Sequence, residues 1–442
     1  MENTTTVSSD TAKTRNLLTD RKFLLLWIGQ GISTIGDSGF TTLLVLWVIT
    51  VIAAGQSWAP LAVGSIVISM TLPVIVVGPF AGVFADRWNK RLTASRMDIL
   101  RTVLMLLLAV GAFSLKFVNV NQIPHLLLLA VVDVTVFLSS VCGQFFTPAY
   151  NGLFVAAINE HDRPRALGFM QSWGNLVALI GPPLATLLFF RIGVLWLLVF
   201  DALTYVVSFL TLLAVHVSEV QKNKEQELRP DFFREFREGI DFYVRNSILM
   251  TMLVGVVLAA AVEGAVNNLD IFFLTRNLHT PVVLYGLLAT ATGLGLTMGG
   301  LIVGHFAQRI GLLRILWVSL LMGGLFVLTL SRLTSFVPAL VVQSLIGFSI
   351  GSINVAVGPL LLKIVPSNLI GRAVSILTPS LLLAATLSVV VTSYLGSVLN
   401  FHIVLLSITF GPIDTIFTVG GVIFTISGLY AMIKLKRAIL DS

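Results

Sequence analysis

Charge and cysteine are both scarce in this chain of 442 residues. Only 11% of the residues are Asp, Glu, Lys or Arg, whereas a soluble domain carries about 25% charged residues. The one cysteine, Cys142, excludes an intramolecular disulfide framework and a cysteine-based metal site. The first 20 residues are polar and lack the apolar core of a removable signal peptide, so a short disordered tail is expected there.

Motifs of soluble enzymes are also missing. The sequence has no G-x-x-x-x-G-K-[ST] phosphate loop, no G-x-S-x-G turn and no H-E-x-x-H metal pair. The glycines of residues 291–300 lie inside an apolar run, which favours helix packing over dinucleotide binding. We therefore expect no enzyme activity, no cofactor and no bound metal, and an ATP-driven pump would need a separate subunit.

Apolar residues, in contrast, make up 56% of the chain, and the mean hydropathy is +0.95. Such a chain cannot cover its surface with polar groups, so much of that surface must face lipid. A helix needs about 20 apolar residues to cross the hydrocarbon. Twelve runs predict an all-α integral membrane protein with spans at 23–52, 60–85, 94–115, 125–147, 166–190, 194–216, 247–274, 282–306, 313–331, 337–362, 373–397 and 413–433.

Basic residues are distributed as in a multi-pass membrane protein. Segments on the side of the two termini contain most of the Lys and Arg, whereas the opposite loops contain only Lys116, Arg191, Arg276 and Arg332. This bias predicts an even number of spans, two cytoplasmic termini and a location in the inner cell membrane. It also accounts for the net charge of +7, so no nucleic-acid partner is expected.

The two halves of the chain resemble each other. The segment GPFAGVFADR begins at Gly78, and GLIVGHFAQR begins at Gly300, each at the inner end of the second span of its half. We call the step along the chain from Gly78 to Gly300 the repeat displacement. We predict two pseudo-symmetric six-helix bundles with a substrate site at their interface, near the middle of the membrane. The bundles cover residues 23–216 and 247–433, and the cytoplasmic segments are 1–22, 217–246 and 434–442.

The polar linker between the halves carries a second pattern. Apolar residues recur there at helical spacing with charged residues between them, at Phe232, Phe233, Phe236, Ile240 and Tyr243. This predicts an amphipathic helix on the cytoplasmic surface of the membrane. The alternative is a docking site for a calmodulin-like partner.

The loop from Gly82 to Arg91 (GVFADRWNKR) resembles motif A of the major facilitator superfamily, a G-x-L-x-D-R-x-G-R-R pattern between the second and third spans. The resemblance implies a twelve-helix transporter in which this loop acts as a latch between the halves. Gly82 would permit close helix approach, and Asp86 would bind helix-start N–H groups and hold Arg87 or Arg91. The alternative is that these charges only anchor the loop on the cytoplasmic side.

Two positions depart from motif A within this loop. Asn89 replaces the family's glycine, and Lys90 replaces an arginine. Because asparagine tolerates a left-handed backbone, the turn is expected to remain. In the second copy Gln308 replaces Asp86, so a weaker latch is expected there.

Carboxyl groups also occur inside predicted spans. Asp37 lies near the middle of the first span, and Glu263 lies at nearly the same depth of the seventh. A charge at that depth costs about 2.5 to 3.5 kcal/mol on insertion scales, so each should face a cavity or a partner. We predict a proton-coupling and substrate cavity formed by Asp37, Glu263, Asp133, Gln30, Asn267, Gln343 and Asn354.

Other readings of these acidic residues remain open. Asp37 and Glu263 could instead pair with backbone N–H groups or with each other. Asp98 and Arg101 are three residues apart, which favours a local ion pair. Asp201 and Asp270 rank below the other carboxyl groups as candidates.

The fifth span contains Gly181-Pro182-Pro183, which is similar to the G-P-x-x-G-G antiporter motif of exporters in the same superfamily. Ala185 and Thr186 stand where the motif has glycines. Small residues permit close packing, and proline frees a backbone carbonyl and allows a kink. The similarity favours efflux, and the alternative is an ordinary kinked helix.

Two further segments, Phe23 to Asp37 and Leu198 to Phe209, resemble the macrolide-efflux and enterobactin-exporter branch. The resemblance implies a monomeric secondary transporter that exports a bulky amphipathic compound, such as a macrolide-like drug, by proton antiport and alternating access. The alternatives are a lysophospholipid flippase or siderophore exporter of the same fold and, from another class, a non-transporting membrane receptor.

Overall fold

Long helices account for most of the described chain. The structure is a computed structural model, and it describes residues 20–115, 117, 124–215, 240–399, 401, 403–405 and 408–440. The first half contains α1 (Arg21–Trp47, continued by a π-helical segment, Val48–Ile52), α2 (Ala59–Val76), α3 (Gly78–Arg87), α4 (Lys90–Ser114), α5 (His125–Ala157), α6 (Arg163–Ile192) and α7 (Val194–Ala214). The second half contains α8 (Ser247–Arg276), α9 (Tyr285–Ile310), α10 (Leu312–Leu330), α11 (Phe336–Ile364), α12 (Ile370–Val398) and α13 (Pro412–Leu440).

The predicted number of membrane crossings is confirmed. Within the described residues, twelve helices are long and apolar enough to cross a membrane. The short helix α3 continues the crossing begun by α2, after a break at Val77. Large apolar side chains such as Val110 and Leu301 are 65% and 71% exposed, which a soluble protein could not sustain over so many helices. The chain is therefore a multi-pass membrane protein.

The two halves pack their helices in the same pattern. In the first half α1 packs against α6 and α7, α4 packs against α5 and α7, and α2 packs against α5. In the second half α8 packs against α12 and α13, α10 packs against α11 and α13, and α9 packs against α11. Each pair in one half has its counterpart in the other, as the sequence repeat predicts.

The helix starts repeat as well. The Asp20 side chain accepts a hydrogen bond of 2.9 Å from the backbone N–H of Lys22 and caps α1. The Asn246 side chain accepts bonds of 3.1 Å from Ile248 and Leu249 and caps α8. Both residues satisfy N–H groups that a helix start leaves unpaired.

Two pairs of helices make most of the contacts between the halves, α2 with α12 and α6 with α9. Since α2 corresponds to α9 and α12 corresponds to α6, the interface has the pseudo-two-fold arrangement of parallel repeats. Below, the terminal side is the side at which α1 begins and α13 ends, and the opposite side is the other membrane surface.

The last loop on the opposite side contains a feature that the helical prediction lacks. Strands β1 (Ile403–Leu405) and β2 (Ile408–Phe410) form an antiparallel pair in which Val404 faces Thr409. Alternation of β-branched and apolar residues in this segment suits a short hairpin.

The linker helix is only partly covered by the structure. Residues 240–245 are helical, whereas Phe232, Phe233 and Phe236 lie outside the described residues. Tyr243 is buried, and its hydroxyl donates a hydrogen bond of 3.2 Å to the carbonyl of Ala373 in α12. Burial raises the pKa of Tyr243 to about 12. Tyr243 therefore packs against the second half, and the amphipathic helix on the cytoplasmic membrane surface stays a prediction.

Candidate functional site

Contacts between α2 and α12 lie toward the opposite side. The backbone N–H of Leu61 donates a hydrogen bond of 3.1 Å to the hydroxyl of Ser397. A Cβ atom at Gly64 would overlap the side chain of Ser393. These residues lie in the opposite-side portions of their helices, so the two halves are in tight contact there.

Contacts between α6 and α9 lie at the same level. A Cβ atom at Gly286 would lie 2.5 to 2.7 Å from backbone atoms of Pro182 and Pro183. Gly64 and Gly286 are separated by the repeat displacement, as are the two copies of the inner loop. Each half therefore contributes one glycine, at equivalent positions, to the contact that closes the opposite side.

The Gly181-Pro182-Pro183 segment takes part in this contact. Pro183 has no N–H, which leaves the carbonyl of Leu179, four residues earlier, without its helical donor. The Thr290 hydroxyl of α9 donates a hydrogen bond of 3.2 Å to that carbonyl. A side chain at Gly181 would overlap Ser38 of α1. The close packing and the freed carbonyl expected of this segment are both present, and the carbonyl serves the interface between the halves.

A cavity lies toward the terminal side. Its volume is about 570 Å³, and it lies between the end of α5 and the start of α6, where it is lined by Asn151, Phe154, Leu167, Gly168, Met170, Gln171 and Gly174. On this side the main contacts of α3 are with α2, α4 and α5, all in its own half. The halves thus meet on the opposite side, and this cavity of the first half lies on the terminal side.

Asp37 lies halfway along α1 and is exposed, whereas its neighbours Gly36 and Phe40 are buried. The hydroxyl of Tyr205 in α7 donates a hydrogen bond of 2.5 Å to Oδ1 of Asp37. Asp37 thus has both an open side and a polar partner, the two arrangements expected for a carboxyl at this depth. Gln30, two turns earlier on α1, is half-buried, and its Oε1 has no hydrogen-bond partner among the described residues.

Three ionisable residues lie behind Asp37, between α4 and α7. Asp98 is 0% exposed and Asp201 is 2% exposed. The guanidinium carbon of Arg101 lies 5.2 Å from the ring centre of Phe146 and 5.3 Å from that of Tyr205. We call Asp37, Asp98, Arg101, Asp201 and Tyr205 the α1–α4–α7 cluster.

The predicted ion pair between Asp98 and Arg101 is wrong. Asp98 and Arg101 form no ion pair within 4.0 Å, and neither carboxyl oxygen of Asp98 has a hydrogen-bond partner among the described residues. The Arg101 side chain extends toward Gly143 and Phe146 of α5 and stacks there by cation–π contact. Residues three apart on a helix can meet only if both side chains stay on the helix surface, and here the arginine points into the bundle.

A second polar group lies in the other half. Glu263, Asn267 and Gln343 line a small cavity of about 10 Å³ together with Thr292. The Gln343 amide donates a hydrogen bond of 2.9 Å to Oδ2 of the buried Asp270. Three of the predicted cavity residues thus come together, and Asp270, which ranked lower, joins them through Gln343.

The remaining predicted residues lie apart from both groups. Asp133 of α5 is half-buried beside Ser65 and Ser69 of α2. Asn354 is exposed on α11, three turns from Gln343. Asp37 binds within the first half, and Glu263 lines a cavity within the second, so the alternative that these two carboxyl groups pair with each other is wrong.

Part of the loop that resembles motif A stabilises the first half. Arg91 donates from Nε to the carbonyl of Leu212 at 3.0 Å and from a second nitrogen to the carbonyl of Leu213. A cation at the end of a helix satisfies free carbonyls and interacts favourably with the helix dipole. The side chain of Lys90 lies over Gly152 of α5. Arg91 and Lys90 thereby link α4 to α7 and α5.

Other predictions for this loop need correction. Asn89 has φ −63° and ψ 111°, so it is extended, not left-handed, and its side chain caps α4 by accepting from Leu92 at 2.8 Å. A Cβ atom at Gly82 would meet nothing within 4 Å, so Gly82 does not serve close packing in this conformation. Arg87 is exposed, and the side chain of Asp86 lies outside the described residues.

Comparison with known proteins was consistent with these observations. Residues 26–277, more than half of the chain, match the family model described as Major Facilitator Superfamily. An uncharacterized MFS-type transporter of Bacillus subtilis (strain 168) is 24% identical over 392 residues, which cover 86% of this chain and 85% of the relative. Macrolide efflux protein A of Streptococcus pyogenes is 23% identical over 312 residues, which cover 71% of this chain and 73% of the relative.

A solved structure shares the fold. The crystal structure of a bacterial homologue of the iron transporter ferroportin in the inward-facing state superimposes with a TM-score of 0.71 at 14% identity, and covers 95% of this chain and 99% of its own. At this level of identity the similarity concerns the arrangement of the helices alone.

Proposed function

The chain belongs to the major facilitator superfamily, and on this premise we propose that it exports a bulky amphipathic compound in exchange for protons. The family and fold are those of a membrane transporter. The direction of transport, the coupling ion and the class of cargo are the parts that we propose.

The exposed carboxyl of Asp37 carries the proposal. It lies at the middle of a membrane-spanning helix, in a bundle that meets its partner on the opposite side and leaves a cavity on the terminal side. A charged side chain at this depth is energetically costly. Such residues are therefore rare in membrane spans, and those that occur usually mark an ion or substrate pathway. An exposed carboxyl group at this depth can bind a proton from one side of the membrane and release it to the other after the halves rock.

The distribution of basic residues supports an outward direction. Lys and Arg are concentrated on the terminal side, which favours a cytoplasmic position for both termini. The 570 Å³ cavity then opens to the cytoplasm, where an exporter collects its cargo. The loop that resembles motif A lies on the same side, where it would close the cavity in the alternate state of the cycle.

The lining of the cavity supports a bulky cargo with both apolar and polar parts. Phe154, Leu167 and Met170 provide apolar surface, and Asn151 and Gln171 provide uncharged hydrogen-bonding groups. Adaptable Met and aromatic surfaces suit ligands of varied shape. The similarity to macrolide efflux protein A supports a macrolide-like compound as the first cargo to test.

Transport in membrane vesicles tests this function. In inside-out vesicles energised by an acidic interior, we expect uptake of labelled erythromycin that collapses with a protonophore. Asp37→Asn should abolish most of this uptake, because the exchanger loses its proposed proton-binding group, whereas Asp241→Asn, outside the spans, should leave it unchanged. Equal uptake by wild type and Asp37→Asn would remove Asp37 from the coupling mechanism.

The same vesicles separate the alternatives. A labelled lysophospholipid and an iron-free siderophore, offered in place of erythromycin, distinguish a flippase or a siderophore exporter from a drug exporter. Counterflow of any of these compounds by purified protein in liposomes would exclude a non-transporting receptor. A protease-accessible tag at residue 230 would place the linker and reveal which side the cavity faces.

A further inference from the structure

Two carboxyl groups of the α1–α4–α7 cluster are buried without partners. Asp98 and Asp201 are at most 2% exposed, and none of their four carboxyl oxygens has a hydrogen-bond partner among the described residues. Ser208 lies beside Asp98 but outside hydrogen-bond geometry. Nearly all buried polar groups in proteins are hydrogen-bonded, so two unpartnered carboxyl groups in one cluster need an explanation.

The charges of the cluster do not balance. Asp37, Asp98 and Asp201 would carry three negative charges, and Arg101 carries one positive charge. An uncompensated buried charge is strongly destabilising, and a buried carboxyl group normally binds a proton instead. Asp37 is exposed, so the buried carboxyl groups are Asp98 and Asp201, and at least one bound proton is needed when Arg101 balances one of these two carboxylates.

A metal ion fits the cluster less well than protons do. The Arg101 guanidinium lies among the carboxyl groups and would repel a cation. Across the part of the chain that the structure describes, no three His, Cys, Asp or Glu side chains lie close enough together to hold a metal. Protons remain as the species that can neutralise Asp98 and Asp201.

Asp37 and Tyr205 lie between the exposed surface of α1 and Asp201. Tyr205 follows Asp201 by four residues on α7, so both side chains lie on the same face of that helix. The Tyr205 hydroxyl donates to Asp37, the exposed member of the cluster. A side chain at Gly36 would overlap Asp201 and Thr204, so Asp201 lies directly behind α1.

From this arrangement we infer that Asp201 is a second proton-binding group of the transport cycle and that Tyr205 connects it to Asp37. The Asp201 carboxyl makes no hydrogen bond in this conformation, so it must first rotate to donate to the Tyr205 oxygen. The Asp37 carboxylate then takes the hydroxyl proton of Tyr205 as the Tyr205 oxygen takes the proton of Asp201. One O–H bond forms on Asp37, one breaks on Asp201, and Tyr205 ends with its hydroxyl intact. The inference rests on the proposed proton exchange and adds the site that stores the second proton.

Several groups face Asp201 and will shape its titration. They are Asp37 from α1, Asp98 and Arg101 from α4, Tyr205 from α7 and, next to Arg101, Cys142 from α5. Any change at one of them shifts the others, because interacting groups titrate together.

Infrared spectroscopy of the purified full-length protein in lipid nanodiscs tests the inference without any cargo. Spectra recorded from acidic to alkaline buffer report protonated carboxyl groups directly. We expect Asp201→Asn to remove one protonated-carboxyl band that the wild type shows and Thr204→Ser, its neighbour, to remove none. If Asp201→Asn and wild type give the same carboxyl bands over the whole range, Asp201 holds no exchangeable proton and the inference is overturned.

A second variant, Tyr205→Phe, keeps the inference testable if Asp201→Asn does not fold. Tyr205→Phe keeps the buried ring and removes only the hydroxyl, so it should retain the Asp201 band while shifting the pH at which the Asp37 band changes. An unchanged pH dependence in Tyr205→Phe would contradict the connection. The wild type could fail to transport erythromycin while Asp201→Asn still loses the carboxyl band. That result would reject the proposed cargo but support the proton-binding site at Asp201.

Discussion

The two halves of this transporter share one packing scheme, yet only the first holds a charged cluster between its first, third and sixth crossings. In the first half Arg101 of α4 stacks on Tyr205 of α7. In the second half the matching helices bring Gly323 of α10 against Phe424 of α13, where a Cβ atom would lie 2.8 Å from the ring. Gly323 follows Arg101 by the repeat displacement, so the two positions are equivalent.

One helical turn away, on α7 and α13, the two halves differ again. In the first half the glycine is on α1, where Gly36 admits the Asp201 side chain of α7. In the second half the glycine is on α13, where a Cβ atom at Gly420 would lie 3.4 Å from Val262 of α8. The duplicated scaffold keeps its helix contacts while one copy uses the space for carboxyl groups and the other fills it with apolar atoms. The halves are thus equivalent as architecture but not as chemistry.

The largest effect is expected when an arginine is placed in the second half, at the position equivalent to Arg101. Gly323→Arg would push Phe424 aside and bury a cation. In this half Leu320 and Ile423 stand one repeat displacement from Asp98 and Asp201. An uncompensated buried charge costs about 3 to 5 kcal/mol, so we expect loss of folded protein, measured by size-exclusion chromatography and thermal unfolding in detergent. Gly82→Arg, at a site where a Cβ meets nothing within 4 Å, is the control that should fold.

The reverse change should make the first half resemble the second. Arg101→Met removes the only cation described in the cluster and leaves its three carboxyl groups unbalanced. We expect a loss of about 3 kcal/mol in the free energy of unfolding at neutral pH. Acid, which protonates the carboxyl groups, should restore much of it, and so should adding Asp201→Asn. Equal thermal stability of Arg101→Met at acidic and neutral pH would contradict the charge balance drawn for the cluster.

The paired glycines of the interface allow a finer comparison. Gly286→Ala would bring its methyl group against the backbone of Pro182 and Pro183, which cannot rotate away, whereas Gly64→Ala meets the movable side chain of Ser393. Overpacking of this kind costs about 1 to 3 kcal/mol. We expect Gly286→Ala to open the opposite side more than Gly64→Ala does, measured by spin-label distances across α6 and α9. Similar distances in both variants would show that the interface yields equally on its two sides.

The smallest expected effect concerns the cap on α7. Arg91→Ala removes the cation that binds the carbonyls of Leu212 and Leu213. Such a cap contributes about 0.3 to 1 kcal/mol, so the unfolding temperature should fall slightly. The exposed Arg87, replaced by alanine, serves as the matched control and should leave the unfolding temperature unchanged.

A comparison of the halves within the sequence could have identified part of the cluster. The repeat displacement carries Arg101 onto Gly323, so a buried arginine stands where its copy has glycine. That mismatch indicates that the shared helix packing does not require a charge at this position. The prediction instead placed Arg101 in a local pair with Asp98, since spacing along one helix says nothing about α5 and α7. Asp201 ranked low for the same reason, because its importance comes from Asp37 and Tyr205.

The sequence by itself determined the number of crossings, the duplication and the side on which basic residues gather. These properties are local: about 20 apolar residues specify a span whatever their neighbours are. Only the tertiary structure decided that Asp98 and Asp201 lie unpartnered behind Asp37, that Arg91 caps α7, and that Gly64 and Gly286 bring the halves together. Those contacts depend on how each helix is rotated and on which distant helix it meets, and a one-dimensional pattern does not contain that rotation.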